Sequence, residues 1–335
     1  MQRKNYIDYL RVFACISVII IHIFVTARTD FPNHSNVDEF LVNLISSLFH
    51  FAVPIFFMIT GFLFLSKKKH DTVHVYIKKY VLKYIIAILI FGTIYSMIEE
   101  VFNHNYSITM PLKALLNVVQ GKTWAHMWYL YSLVGVMLLI LLLQKIKDDD
   151  NLLKYIFIIL FISSFVFPMI EKLFNIKIGI DLILASPYLF YAILGYYLGN
   201  DNIKISNKTK AIILGICILI IIVSEYLNIF HPCLITNRLA IFGRYDSPVM
   251  IVYSSMIYLL FMNLTSSKKI VSYICPYTYG IYLVHMFWIN LLYKFLKINI
   301  FNNYLYCFGI LIICFLLSWL SAYILKKTPL IKKIL

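Results

Sequence analysis

The sequence predicts an all-α, polytopic membrane helix bundle of about ten transmembrane helices, with the N- and C-termini cytoplasmic. Three observations carry that prediction: the scarcity of charge, the length of the apolar runs, and the one-sided placement of lysine and arginine. Hydrophobic side chains make up 61% and charged ones only 13%, where a soluble domain carries about 25% charged residues. A mean hydropathy of +0.83 makes lipid, not water, the solvent for most of the chain. The net charge of +15 raises the question of nucleic acid. The cations cluster in short loops between apolar runs, so the expected partner is the lipid bilayer and no nucleic acid.

A spanning helix needs about 20 mainly apolar residues. Ten runs approach that length, at roughly 7–27, 41–65, 80–102, 127–145, 153–170, 179–199, 209–228, 248–264, 273–293 and 304–325. The first carries Asp8 and Arg11 at its start and has no small-residue cleavage site, so it is expected as a retained helix and not a signal peptide. Only the loops 103–126 and 229–247 are long, and no repeat or low-complexity linker appears, so 1–335 is expected to form a single domain. After the last run comes a lysine-rich tail, with no appended extramembrane domain expected. Pro54, Pro168 and Pro187 are expected to kink their helices, and Glu225 is expected at the membrane interface.

Orientation follows from the cations. With the N-terminus inside, 21 of the 30 lysines and arginines fall on the cytoplasmic side, including Lys4, Lys67, Lys147, Lys268 and Lys326. Nine fall outside, among them Arg28, Arg238 and Arg244. The expected location is a multi-pass position in the plasma membrane. Richness in Ile, Lys and Asn points to an AT-rich bacterial genome. The six cysteines are scattered, without CxxC or Cys/His ligand spacing, so neither a disulfide framework nor a metal site is expected.

The first helix holds the most informative pattern. Eleven steps of about 100° bring His22 almost back over Arg11, roughly 16 Å further along the axis. Asp8 lies one turn before Arg11 on the same side. Ionisable groups at membrane depth are costly and usually line a cavity or pathway. Two readings stand at this point: an anion-binding guanidinium aligned with a buried imidazole, or a snorkelling Arg and a structurally bonded His.

Further segments extend the pattern. They are Val53-Pro-Ile-Phe-Phe-Met-Ile-Thr-Gly-Phe62, Tyr76-Ile-Lys-Lys-Tyr-Val-Leu-Lys83, His126-Met-Trp-Tyr-Leu130, Leu194-Gly-Tyr-Tyr-Leu198 and Tyr279-Gly-Ile-Tyr-Leu-Val-His285. With Asp8-Tyr-Leu-Arg11 and His22, in this order, the chain resembles the acyltransferase 3 family of membrane O-acyltransferases. The resemblance implies transfer of an acyl group, usually acetyl with succinyl possible, from cytoplasmic acyl-CoA. The acceptor it implies is a hydroxyl of an extracytoplasmic envelope glycan or lipid-linked sugar. Acyl-CoA would be a co-substrate, and no cofactor is expected to be tightly bound. His22 matches the family's essential histidine and Arg11 its essential arginine.

The residue types suit that chemistry. A sugar hydroxyl needs a base as it attacks a thioester, and an imidazole of unperturbed pKa near ~6.5 supplies one. His22 is therefore the expected general base, with a transient acyl-histidine as the variant. Asp8 and His285 are grouped with Arg11 and His22 as catalytic; His285 lies roughly 18 Å along its helix. It either serves the chemistry or bonds a neighbouring helix. Arg11, Lys78, Lys79 and Lys83 are expected to hold the phosphates of CoA. Many relatives carry Arg-x-x-Arg where this chain has Tyr80 and Lys83. His126, Trp128, Tyr282 and Arg244 are expected at the acceptor, with Trp124 as a further stacking ring and Arg238 and Asp246 beside Arg244. The competing class is an exporter or flippase for a polysaccharide or glycolipid precursor; an inactive scaffold is the third reading. Acceptor identity and oligomeric state stay open in the sequence.

Overall fold

The computed structural model describes residues 4–67, 71–180, 186–200, 203–232, 240–266, 268–329 and 331–335. Arg3, Lys68, Lys69, Cys233 and Arg238 lie outside the described residues. In chain order the helices are α1 (Asn5–Asp30), α2 (Asn36–Leu65), α3 (Val73–Phe102) and the shorter α4 (Met110–Val119). Then come α5 (Ala125–Ile146), α6 (Asp150–Phe174), α7 (Pro187–Asn200), α8 (Asn207–Phe230), α9 (Pro248–Phe261), α10 (Thr278–Leu296) and α11 (Leu305–Leu325). A short helix, Lys269–Ile274, leads into α10.

Among the described residues, seven helices are long and apolar enough to cross a membrane: α1, α2, α3, α5, α6, α8 and α11. They correspond to seven of the ten apolar runs. The other three runs form α7 and α9, of 14 residues each, and α10, of 19. Those helices are held by protein contacts: α7 lies against α2, and α10 packs between α1 and α11.

Local chemistry explains the irregularities. Ser35 caps α2, accepting from the Asp38 N–H at 3.2 Å while the Asp38 carboxylate accepts the Ser35 N–H at 2.8 Å, a reciprocal capping box. The helix breaks at His50–Phe51 and resumes at Ala52, so Pro54 sits in a new first turn where its missing N–H costs little. Pro187 likewise begins α7 and bends nothing. Pro168 does sit inside a continuous helix, and the turn before it, Ile162–Val166, widens to a π-helix. That widening relieves the ring's clash with the carbonyl four residues back.

The tightest crossing is α2 on α7. A Cβ placed on Gly61 would lie 1.8 Å from the Ala192 carbonyl oxygen, and one on Gly195 2.1 Å from that of Met58. Backbone therefore meets backbone, as at small-residue crossings in membrane bundles.

One end of the bundle is basic. There Lys147 donates to the Leu65 carbonyl at 2.9 Å and Lys4 to Gly199 at 3.2 Å. Lys326 reaches the Pro276 carbonyl and the Lys268 N–H meets the Tyr9 hydroxyl. The start of α1 and the far ends of α2, α5, α7 and α11 thus gather at one face. Asn207, opening α8, bonds Asn263 just after α9, so the loop joining these two helices belongs to the opposite end.

Candidate functional site

Three imidazoles from three helices meet in the bundle interior. His22 comes from the middle of α1, His126 from the turn that opens α5, and His285 from α10. The ring centres of His22 and His285 are 5.2 Å apart, those of His126 and His285 5.2 Å, and those of His22 and His126 6.3 Å. His126 and His285 are buried, and His22 keeps partial exposure. The helical register expected for α1 turns His22 inward, as the Arg11 spacing requires.

The environment fixes part of their protonation chemistry. His285 Nδ1 donates to the Tyr282 carbonyl at 2.6 Å, because that oxygen can only accept. In the neutral ring this leaves Nε2 as a lone-pair acceptor, buried and without a protein partner. Both ring nitrogens of His126 are also buried without a hydrogen bond. The Leu283 carbonyl, which accepts the Tyr95 hydroxyl at 2.5 Å, lies near His126 but outside hydrogen-bond geometry. Buried polar atoms are normally satisfied, at about 1–3 kcal/mol for each left bare. Three such nitrogens around one spot are suited to a polar guest.

Below the histidines, toward the basic end, lies a cavity of about 220 Å³. Its polar lining includes Arg11, Lys83, Thr60, Tyr84, Cys275 and Tyr282. Tyr282 forms the partition between cavity and imidazoles. Its ring centre is 5.8 Å from His285 and 5.7 Å from His126, and its hydroxyl donates to the His126 carbonyl at 2.5 Å. Tyr129 stands beside it, 5.4 Å between centres. Asp8 is buried one step behind the wall and accepts from the Cys275 thiol at 3.2 Å.

The expected cations divide. Arg11 and Lys83 face the cavity together, whereas Lys78 and Lys79 are exposed on the widened turn Ile77–Val81 and do not line it. Tyr80, standing where many relatives have arginine, carries the Lys67 ammonium 4.0 Å over its ring. A cation therefore occupies that neighbourhood, held by ring quadrupole and charge.

The expected acceptor residues also separate. His126 joins the histidine cluster. Trp124 stacks on Tyr95 at 4.4 Å and donates to Glu99 at 3.0 Å, so its face is already covered. Trp128 turns the other way, onto Tyr188 at 5.4 Å and Tyr245 at 5.6 Å. Those tyrosines belong to a second cavity of about 290 Å³, lined by His50, Pro187, Tyr188, Arg244, Tyr245 and Asp246. Phe57 separates the two cavities, 5.1 Å from Tyr129 on one side and 4.8 Å from Tyr188 on the other. His50 lies within electrostatic range of His22. Arg244 is exposed and clamped by Asp246, which raises its pKa further by accepting two hydrogen bonds, 2.9 and 3.2 Å long.

One residue here, His50, has no role assigned from the sequence, and another, Glu225, sits in surroundings the sequence did not show. His50 is an ionisable side chain in the middle of an apolar run, and that signal was available. Glu225, expected at the interface, is 4% exposed and accepts the Ser47 hydroxyl at 2.7 Å.

A family model described as an acyltransferase domain matches residues 4–323. An amino-acid racemase of Enterococcus faecalis is 30% identical over 155 residues, covering 43% of this chain and 20% of the racemase. The chain thus spans about a fifth of the length of that curated relative. No solved structure matches. The match over nearly the whole chain, with Arg11, His22 and His285 gathered in one bundle interior, places the protein in the acyltransferase 3 family.

Proposed function

We propose that this protein is a membrane O-acyltransferase that moves an acyl group, acetyl in the first instance, from acyl-CoA to a hydroxyl of an envelope glycan or lipid-linked sugar. The observation that carries the reading is the placement of three imidazoles just behind the Tyr282 partition of a cavity holding Arg11 and Lys83. A volume of about 220 Å³ lies below the roughly 300–1,000 Å³ of drug-sized sites. It suits the thioester arm of CoA, with the phosphates left at the cationic mouth.

In this mechanism Arg11 grips phosphate through paired N–H donors and Lys83 adds a point charge. The thioester passes Tyr282 to the histidines. His22 takes the proton of the acceptor hydroxyl as its oxygen bonds to the thioester carbonyl carbon. The carbon–sulfur bond then breaks, and the proton passes to the departing thiolate to give CoA thiol and ester. His126, with both nitrogens free of protein partners, supplies an N–H to the carbonyl oxygen as negative charge develops there. His285 Nε2, on a ring centred 5.2 Å from that of His22, is the acceptor available to the His22 N–H as that ring takes the proton. Asp8 and Cys275 hold the wall beside Arg11. On this reading Lys78 and Lys79 attract the donor electrostatically at the basic face, which would be cytoplasmic, without touching it in the cavity.

Two cavities in series, parted by Phe57, also have the layout of a carrier, so an exporter of glycan or its precursor is the second reading. Membranes containing the protein, given radiolabelled acetyl-CoA, separate the two. Label in envelope glycan that disappears in His22→Ala at unchanged expression supports the transferase. Unlabelled glycan that fails to reach the surface of a deletion strain supports the exporter.

A further inference from the structure

The cavity beyond Phe57 plays no part in the donor chemistry above, and we propose that it is an acceptor port: a site for an uncharged, hydroxyl-rich ring such as a sugar residue, opening at the opposite end of the bundle from Arg11. The proposal rests on the acyl-transfer reading for the reaction it serves, and on the cavity itself for its ligand class.

The position comes first. The loop carrying Arg244, Tyr245 and Asp246 joins α8 to α9 at the end away from the basic face. Phe57 closes the cavity toward Tyr129 and the Arg11 chamber. His50 lines the same cavity, its ring centre 4.6 Å from that of Tyr245. A ring held here therefore approaches the imidazoles from the side opposite the thioester.

The site is also built. His50 Nδ1 donates to the Gly243 carbonyl at 2.8 Å, and the Tyr191 hydroxyl donates to the Tyr245 carbonyl at 2.8 Å. Gly243 sits against the buried Ser47–Glu225 pair so closely that a Cβ there would lie 2.1 Å from Ser47 Oγ and 3.1 Å from Glu225 Oε1. The loop is thus pinned from three directions. With Nδ1 donating, neutral His50 presents Nε2 as an acceptor for a hydroxyl proton.

Ligand class follows from charge and shape. The Arg244 guanidinium and Asp246 carboxylate neutralise each other through two bonds, 2.9 and 3.2 Å long. An anion arriving at Arg244 meets the carboxylate, and a cation meets the guanidinium. Spare N–H donors and carboxylate lone pairs remain, and vicinal hydroxyls use both. Tyr188 and Tyr245 provide aromatic walls for the C–H side of a saturated ring; Tyr188 has one face on Phe57 at 4.8 Å, and both rings lie within 5.6 Å of Trp128. About 290 Å³ holds one such ring and no long chain.

The test uses the full-length protein in nanodiscs, with neutral chitotriose and anionic trigalacturonic acid as probes, each measured with and without CoA. The expected result is preference for chitotriose, with both CoA and chitotriose bound at once. Tyr188→Ala should weaken chitotriose by about tenfold and Tyr188→Phe should keep it, as one aromatic face contributes up to ~1.5 kcal/mol. Asp246→Asn, which frees the guanidinium, should turn the preference toward trigalacturonic acid. Arg11→Gln should weaken CoA and leave chitotriose unchanged. Failure of chitotriose to bind, indifference to Tyr188→Ala, or displacement of chitotriose by CoA overturns the port. If CoA never binds while chitotriose follows the expected pattern, the acyl-CoA reading falls and the port stands.

Discussion

The α2–α7 crossing gives a prediction whose size comes directly from the coordinates. In Gly195→Ala the new methyl would lie 2.1 Å from the Met58 carbonyl oxygen and 2.3 Å from Met58 Cα, whereas ordinary contact begins at 3.4 Å. Both neighbours are backbone, so no rotamer change relieves the clash, and α7 must move from α2 by more than 1 Å. Overpacking of this kind costs typically about 1–3 kcal/mol. The movement also displaces Phe56, Ile59 and Thr60, the α2 residues that line the Arg11 cavity. Gly135 on α5 is the control, because a Cβ there meets nothing within 4 Å. Alanine at that position replaces a poor helix former, for a gain of up to about 1 kcal/mol. Thermal unfolding of the three proteins in one detergent, with acyl-transfer rates alongside, makes the comparison. We expect Gly195→Ala to melt several degrees lower with impaired transfer, and Gly135→Ala to melt at or above wild type. Equal melting temperatures, or a more damaging Gly135→Ala, would refute the argument that this crossing is set by backbone contact.

Three other predictions follow from the same geometry. Arg11→Gln should raise the KM for acyl-CoA by about 10- to 100-fold, matching the ~1.5–3 kcal/mol of a charge-assisted pair, and Arg11→Lys should recover only part of it; steady-state kinetics at saturating acceptor measures both. Tyr282→Phe strips the His126 carbonyl of its hydroxyl donor, and kcat should drop by roughly 10- to 100-fold while CoA binding by calorimetry holds, since an ångström of misplacement costs about that much. At the turn between α1 and α2, His34 Nδ1 meets the Phe31 carbonyl at 2.9 Å and Nε2 meets Glu39 at 2.9 Å. Two acceptors favour the doubly protonated ring, so its pKa is raised, first by Phe31 and then by Glu39. Its contribution to stability is then complete below the usual histidine value of about 6.5 and fades as pH rises through the elevated one. His34→Gln should flatten the melting temperature across that window, and an unchanged profile would exclude the link.

Much of the fold was legible because lipid imposes simple rules. Run length and loop cations delineate the helices, and the eleven-residue step from Arg11 to His22 selects one face of α1 without tertiary knowledge. His285 could be matched to His22 in depth by the same axial rise. What the pattern could not reveal depends on partners distant in sequence. Nothing near Glu225 announces Ser47, 178 positions away, so its burial was unreadable. The parting of His126 from Trp128, two residues apart, turns on the 3₁₀ turn Ala125–Met127, which aims one ring at α10 and the other at α7. That Lys83 lines the cavity while Lys78 and Lys79 stay exposed depends on which face of α3 packs inward, and that is set by neighbours distant in sequence. Pro54 and Pro187 were read as kinks because helix starts inside continuous apolar runs leave little compositional trace.

The most direct measurement is a structure of the protein with a non-hydrolysable acetyl-CoA analogue in a lipid nanodisc. We predict phosphate density at Arg11 and Lys83, the arm passing between Tyr129 and Tyr282, and the acyl carbon within reach of a hydroxyl held roughly 3–3.5 Å away by His22. An analogue bound elsewhere, or one seated at Arg11 with its acyl end turned from the three imidazoles, would contradict it.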